Sequence, residues 1–472
     1  MATNDNALAA SAARPATPHA ASFRDPAGFV FVRDGVVYRQ VNEVYRGDYD
    51  TLVRSGLYDA LAERGLLIEH DEVPTTAQAD ARACRVLRPR QVPFVSYPYE
   101  WCFSQLADAA RTTLAVQQIA LAHGMSLKDA TAYNIQFLAG RAVLVDTLSF
   151  ERYEPGTPWV AYRQFCQQFL APLALMSAVD VRLGQLSRVF LDGVPLDLAS
   201  RLLPLRTMGR FSLATHIHLH ARAGRRFGNR PVAETRRRMS ATAMRGLIDN
   251  LGAAIDRLTP RSHDTGWARY EEIATYSADA RDAKERVVRE FLQQMRPRVV
   301  WDLGANTGRF SRVAAEMGAL TLAFDADHDA TELHYRACRA AAQRRVLPLV
   351  VDLVNPSPGI GWAHQERSSL ASRGPADAVL ALALLHHLAI GNNVPFDRIA
   401  DVLRDLGAHA VVEYVPKDDV RVQQLLVNRT DGFDDYSEAA FERAFRRRFD
   451  ICQRVPIPGT LRVLYLMRGR AA

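Results

Sequence analysis

Lysine is nearly missing from this chain: Lys128, Lys284 and Lys417 are the only three among 59 basic residues in 472. The net charge of +7 is carried by arginines spread along the sequence, a bias that a GC-rich genome produces as readily as a selected surface. No dense basic–aromatic array of the kind that tracks a nucleic-acid backbone is present, so nucleic acid is not expected as a partner. Cysteine is scarce as well. Cys84, Cys102, Cys166, Cys338 and Cys452 are far apart, odd in number and form no CxxC pair. That argues against a disulfide framework and against a metal site of zinc type, and it fits a reducing cytoplasm. Long hydrophobic runs are absent too: 169–178 and 378–385 fall well short of the roughly 20 apolar residues of a membrane helix, so no membrane insertion is expected. The first residues lack the basic-then-apolar order of a secretion signal, and the Ala/Ser/Pro/Thr tract 1–22 reads as a disordered leader.

A chain of this length exceeds what one hydrophobic core usually serves, so more than one domain is expected. The β-prone runs 29–32 and 36–41, joined through Asp34-Gly35, predict a hairpin. One helix is expected over 49–64, an extended stretch over 92–97, and a long helix over 104–123 stopped by Gly124. A polar loop (127–134) and two short strands (135–138 and 142–145) follow, then a mainly helical, Arg-rich stretch to about 258. The polar segment 259–280, with Trp267, Tyr270 and Tyr276, reads as a connector or as an aromatic lid. From 281 onward apolar strands and helices alternate, the pattern of a parallel sheet with crossover helices. The expected organisation is therefore a leader (1–22), an α+β domain (23–258), a connector (259–280) and an α/β domain (281–472).

The chemistry concentrates in that last domain. The strand 299–303 runs into Asp302-Leu303-Gly304-Ala305-Asn306-Thr307-Gly308 and then a helix. Glycines suit a tight loop whose backbone must approach a ligand, and the helix start offers free N–H groups. A glycine loop by itself is a weak signal, shared by dinucleotide-binding domains. Asp325 follows the second strand, where a carboxylate can accept from both ribose hydroxyls. Asp352, with Leu353 beside it, ends the third, within reach of an adenine amino group. The fourth ends in His386-His387, at the edge where open α/β sheets bind ligands, and Glu413 follows the fifth. These residues resemble motifs I to IV of class I S-adenosylmethionine-dependent methyltransferases, with Asn306 where a middle glycine is often found. The resemblance implies a Rossmann-like fold with S-adenosyl-L-methionine as methyl donor, held by Asp302, Gly304, Asn306, Gly308, Asp325, Asp352 and Leu353. Methyl transfer needs a base only for a weakly nucleophilic acceptor; His386 and His387 are the first expectations, Glu413 the next. The turn-rich stretch 355–362 is expected to wall the adenine or the acceptor.

Further upstream, Asp129 and Asn134 stand five apart and Asp146 lies twelve residues on. This resembles the catalytic loop and metal-binding aspartate of protein-kinase-like folds. Leu127 stands where a His or Tyr is usual, and no lysine precedes Lys128, so the phosphate-clamping lysine is missing; Arg39 is the electrostatic substitute. A degenerate module that positions a substrate and a phosphotransferase both remain open. His216, His218 and His220 would share a face on a strand, as a metal site requires, but without a carboxylate or cysteine partner they read as structural. The run 236–238 (Arg-Arg-Arg) reads as a solvated face. Along its whole length the sequence resembles the NoeA-type nodulation host-specificity proteins, through 127–134, 145–150 (VDTLSF), 302–308, 382–388 (LALLHHL) and 413–417 (EYVPK). The resemblance implies a methyltransferase and leaves the acceptor open among small molecule, glycan and protein. A non-catalytic S-adenosylmethionine-binding regulator is the alternative.

Overall fold

The computed structural model describes residues 17–75, 79–222, 239–262, 277–427 and 433–470. Most of the expected leader, the 236–238 arginines and the aromatics Trp267, Tyr270 and Tyr276 lie outside these residues. The N-terminal half opens on an antiparallel sheet of strands β1 (Thr17–Pro18), β2 (Gly28–Arg33), β3 (Val36–Asn42), β4 (His70–Val73) and β5 (Ala83–Pro89), in the order β1-β2-β3-β5-β4. Asp34 and Gly35 turn the β2–β3 hairpin with φ of 51° and 75°, the left-handed pair that a two-residue hairpin needs. The single helix expected over 49–64 is two, α1 (Arg46–Arg54) and α2 (Leu57–Ala62). Gly56 adopts φ 72° between them, which ends one helix and lets Leu57 and Leu61 turn inward.

Residues 92–97 form no strand but cross as coil to the helix α3 (Phe103–Ala122). The polar loop then lies between β6 (Met125–Leu127) and the hairpin β7 (Ile135–Leu138) and β8 (Arg141–Leu144); β9 (Phe150–Arg152) pairs back onto β6. Helices follow to Asp256. His216 and His218 sit in a wide helical turn, Ala214–Leu219, rather than on a strand. His216 bonds Tyr162 and Asn250, and His218 bonds Ser200 and Thr207. Among the described residues no three His, Cys, Asp or Glu side chains are grouped to hold a metal.

The C-terminal half carries the alternation read from the sequence. Strands β10 (Val299–Leu303), β11 (Leu320–Asp325), β12 (Val346–Val350), β13 (Ala376–Ala381), β14 (Gly407–Tyr414), β15 (Phe449–Pro456) and β16 (Val463–Gly469) form one sheet in the order β12-β11-β10-β13-β14-β16-β15. The first five are parallel and β16 inserts antiparallel between β14 and β15. This strand order, with its antiparallel β16, is that of the class I methyltransferase fold. The parallel strands are buried along nearly their whole length, which is why they read as unbroken apolar runs.

β12 is an edge strand, and Pro348 at its centre has no N–H to leave unpaired. The carbonyl of Pro348 accepts instead from Nε2 of Gln105 on α3 (2.9 Å), so the N-terminal half covers this edge. One hydrophobic core runs through both halves: Phe94 meets Trp301 and Phe324 edge-on, and Phe137 lies between Trp101 and Tyr335. A second cluster packs helix Ala278–Met295 against the other side through Val288, Phe291 and Leu292. Among the described residues no helix is long and apolar enough to cross a membrane.

Candidate functional site

β10 ends at Leu303 and the chain turns back on itself before helix Arg309–Glu316. Gly304 (φ 74°) and Gly308 (φ 82°) take left-handed conformations there, and Asn306 (φ 50°) does so as a non-glycine residue. At Gly308 a Cβ would sit 1.9 Å from Nε2 of the buried His334, so glycine is required twice over, by φ and by space. The amides of Gly304 and Ala305 both donate to the Phe324 carbonyl (2.8 and 3.0 Å), tying the loop to β11. Asp325, the last residue of β11, accepts from the amides of Asn306 (2.7 Å, Oδ2) and Asp327 (2.8 Å, Oδ1). These amides fix the orientation of the carboxylate at the strand end. Burial pushes the Asp325 carboxyl up to about 6.

These features surround a 420 Å³ cleft at the carboxyl ends of the parallel strands, a size suited to a small-molecule ligand. Gly304, Asn306, Asp325, Asp352, Leu353 and His387 all line it, together with Asp327, the Leu382–Ala383–Leu384 turn and Asn392. Asp302 and Gly308 do not. Asp302 is buried behind the loop, where its Oδ2 accepts from Ser311 (2.5 Å); burial, then the nearby Asp325, pushes its carboxyl up to about 6. Its place is to hold the first helix turn onto β10, one step removed from the cleft.

The three residues expected as bases separate. His387 lines the cleft, and burial, followed by the positive charges of Arg462 and Arg421, holds its imidazole down to about 4, so it is neutral at pH 7. His386 lies tilted against it, ring centres 4.1 Å apart, but is fully buried outside the cleft lining, with no hydrogen-bond partner at either ring nitrogen. Glu413 corrects the expectation of a base. It is fully buried, with one oxygen accepting from Lys284 Nζ (2.6 Å) and from the Ala383 amide (2.7 Å) and the other from Arg462 (3.3 Å). Arg462 in turn is held by Asp419 at 2.7 and 3.0 Å. Ala383 has φ 52°, an unfavourable conformation for alanine, so Glu413 anchors the strained turn that forms one wall of the cleft.

No family model matches the chain. Over 469 residues it is 36% identical to nodulation protein NoeA of Rhizobium meliloti strain 1021, the match spanning 98% of each chain. The chain belongs to the NoeA family. Solved structures overlap a smaller part of this NoeA-family protein. Magnesium protoporphyrin IX methyltransferase ChlM of Synechocystis PCC 6803, with bound SAM, is 17% identical, covers 44% of this chain and 92% of its own, and has a TM-score of 0.31. The N-methyltransferase NodS of Bradyrhizobium japonicum WM9 gives 12%, 41%, 99% and 0.32. The bifunctional kinase-methyltransferase WbdD gives 15%, 43%, 42% and 0.29, so this chain spans less than half of WbdD. The fold of the NoeA-family chain rests on its own strand order.

Two further features of the NoeA-family chain escaped the sequence. The Lys284–Glu413–Arg462–Asp419 network joins residues far apart in the chain, and only burial distinguishes these charges from surface ones. The stretch 355–362 does not wall the cleft. It docks on the N-terminal half, where Ser357 Oγ donates to Glu100 (2.5 Å) and Arg188 donates to Asn355 and Pro356. The polar loop does assemble: Asn134 Nδ2 donates to Asp129 (3.2 Å), Ser149 (3.1 Å) and Asp146 (3.5 Å).

Proposed function

We propose that this NoeA-family protein is an S-adenosylmethionine-dependent methyltransferase acting on a small-molecule, glycan or protein acceptor. The convergence of Gly304, Asn306, Asp325, Asp352 and Leu353 on one cleft at the sheet's carboxyl edge carries the reading. The residues fit the donor. The left-handed loop leaves room at Gly304, Asp325 offers fixed carboxylate oxygens for ribose hydroxyls, and Asp352 and Leu353 line the same cleft as the candidates for the adenine. The donor, when bound, supplies a methyl group on a positively charged sulfur, which needs no activation by the protein.

The chain's own part is alignment. Asp325 binds and orients, and Glu413 holds the Ala383 turn in place. His387, neutral at pH 7, takes up the acceptor's proton when that acceptor is a hydroxyl or other weak nucleophile. His386 and Glu413 act from behind as positioning residues. The test is donor turnover with extracts of the source organism, with the methylated product identified by mass. Donor consumption that Asp325→Ala abolishes supports the reading. Donor binding without turnover against any extract fraction would instead make the protein a regulator that senses the donor.

A further inference from the structure

A second cleft of 510 Å³ opens between the N-terminal sheet and the loop that carries Asn134 and Asp146. Its sheet-side wall is apolar (Val30, Ile68 and Leu87), with Val145 opposite, and residues of the C-terminal half, Arg367 and Arg373 among them, also line it. We propose that this cleft is a second ligand site, for a phosphorylated compound with an apolar, ring-bearing end, held by arginine rather than through a divalent cation. The inference is independent of the donor-binding reading.

The kinase-like loop implies magnesium held by Asn134 and Asp146, and the residues do not fit that ion. Asp146 forms an ion pair with Arg39, and its other oxygen accepts from Ser149 Oγ at 2.5 Å. The Asn134 amide points its donor nitrogen, not its oxygen, at Asp129 and Asp146. A divalent ion would have to displace a guanidinium already seated on Asp146. Arg39 thus supplies in the fold the positive charge that a metal would bring with the ligand.

The cationic side is not used up by that pair. Arg39 and Arg367 both line the cleft and neither guanidinium is fully used, Nε of each lacking an acceptor; their terminal N–H groups are the donors an anionic ligand would meet. Arg367 lies over the Tyr133 ring at 4.2 Å and donates only to a backbone carbonyl, that of Glu366. Its field is felt by neighbouring His19, whose imidazole is held below the ordinary range by burial and then by this guanidinium. Arg373, by contrast, is committed to Glu100, and Glu366 to Arg24. Apolar walls and two under-used guanidinium groups therefore select a molecule that is apolar at one end and anionic at the other.

The measurement is calorimetry of ATP binding to the full chain, in EDTA and then in magnesium. ATP is expected to bind in EDTA, with an affinity that magnesium changes by less than about threefold. Arg367→Ala should weaken it by about tenfold or more, the worth of one charge-assisted bond. Arg39→Lys, which keeps the charge but loses the fork, should weaken it less than Arg39→Ala. Asp146→Ala should leave binding intact or tighten it, because Arg39 is released. Tripolyphosphate should bind at least about tenfold more weakly than ATP, because it cannot use the apolar walls. Magnesium-dependent binding that Asp146→Ala abolishes would overturn the proposal in favour of a phosphotransferase site. So would ATP displaced by S-adenosylhomocysteine, tripolyphosphate binding as tightly as ATP, or no ATP binding.

Discussion

Replacing Glu413 by glutamine preserves the shape of the side chain and removes the charge that Lys284 and Arg462 share. Arg462 keeps Asp419, so the loss falls on Lys284, a buried ammonium that lies over the Phe310 ring and whose pKa is already lowered by burial. Breaking one side of a buried pair typically costs about 3–5 kcal/mol. Here the loss has a ceiling, because Lys284 can shed its proton. Moving a lysine of ordinary pKa, about 10.4, to the neutral form at pH 7 costs about 4.6 kcal/mol at 1.36 kcal/mol per pH unit. At pH 9 the same step costs about 1.9 kcal/mol. In the variant the unfolded chain binds this proton and the folded chain does not, so stability rises with pH. Glu413→Gln is therefore expected to lose about 3–4.6 kcal/mol at pH 7, read by urea denaturation, and no more than about 1.9 kcal/mol at pH 9. A loss below about 1 kcal/mol with normal donor binding and a collapse of kcat alone would refute the positioning role and restore Glu413 as a base.

Removing the cleft-lining imidazole by His387→Ala should lower turnover of a hydroxyl acceptor by about a hundredfold with donor affinity unchanged, while His386→Ala should act mainly on stability. Equal kcat losses with equal stability in the two variants would contradict their separation. Binding of S-adenosylhomocysteine should weaken as pH falls through about 6, where Asp325 takes up its proton. Because that pKa is raised in the folded state, the same protonation favours folding, so the weakened binding cannot be ascribed to unfolding through this group. Affinity that is flat between pH 5 and pH 7, by calorimetry, would exclude Asp325 from the contact. Gly308→Ala meets both the left-handed penalty, about 1–2 kcal/mol, and a Cβ 1.9 Å from His334. Displacing that buried ring adds about 1–3 kcal/mol, and a denaturation loss below about 1 kcal/mol would contradict the geometry.

The cleft was legible in the sequence because strands buried on both faces leave apolar runs, and its carboxylates stand at or just past the ends of those runs. Asp325, for example, is the last residue of β11, next to the Gly304–Gly308 loop. The last two strands were not legible: β15 is an edge strand of mixed burial, and β16 pairs antiparallel with β14 about fifty residues before it. Nor does a sequence say which of two adjacent histidines faces a cavity, since that depends on how the chain turns at Ala383, beyond the end of β13. Gly56 marked a break that helical periodicity alone ran through. The charge network around Glu413 was invisible for a different reason: its four members come from separate elements, and nothing in the sequence links them.

Calorimetry of S-adenosylhomocysteine against the intact protein, with NAD(H) as comparison and Asp325→Ala as control, tests the central claim most directly. The account predicts one site per chain for S-adenosylhomocysteine, lost in Asp325→Ala while the fold is retained, and no binding of NAD(H). Binding of NAD(H) without S-adenosylhomocysteine would contradict it.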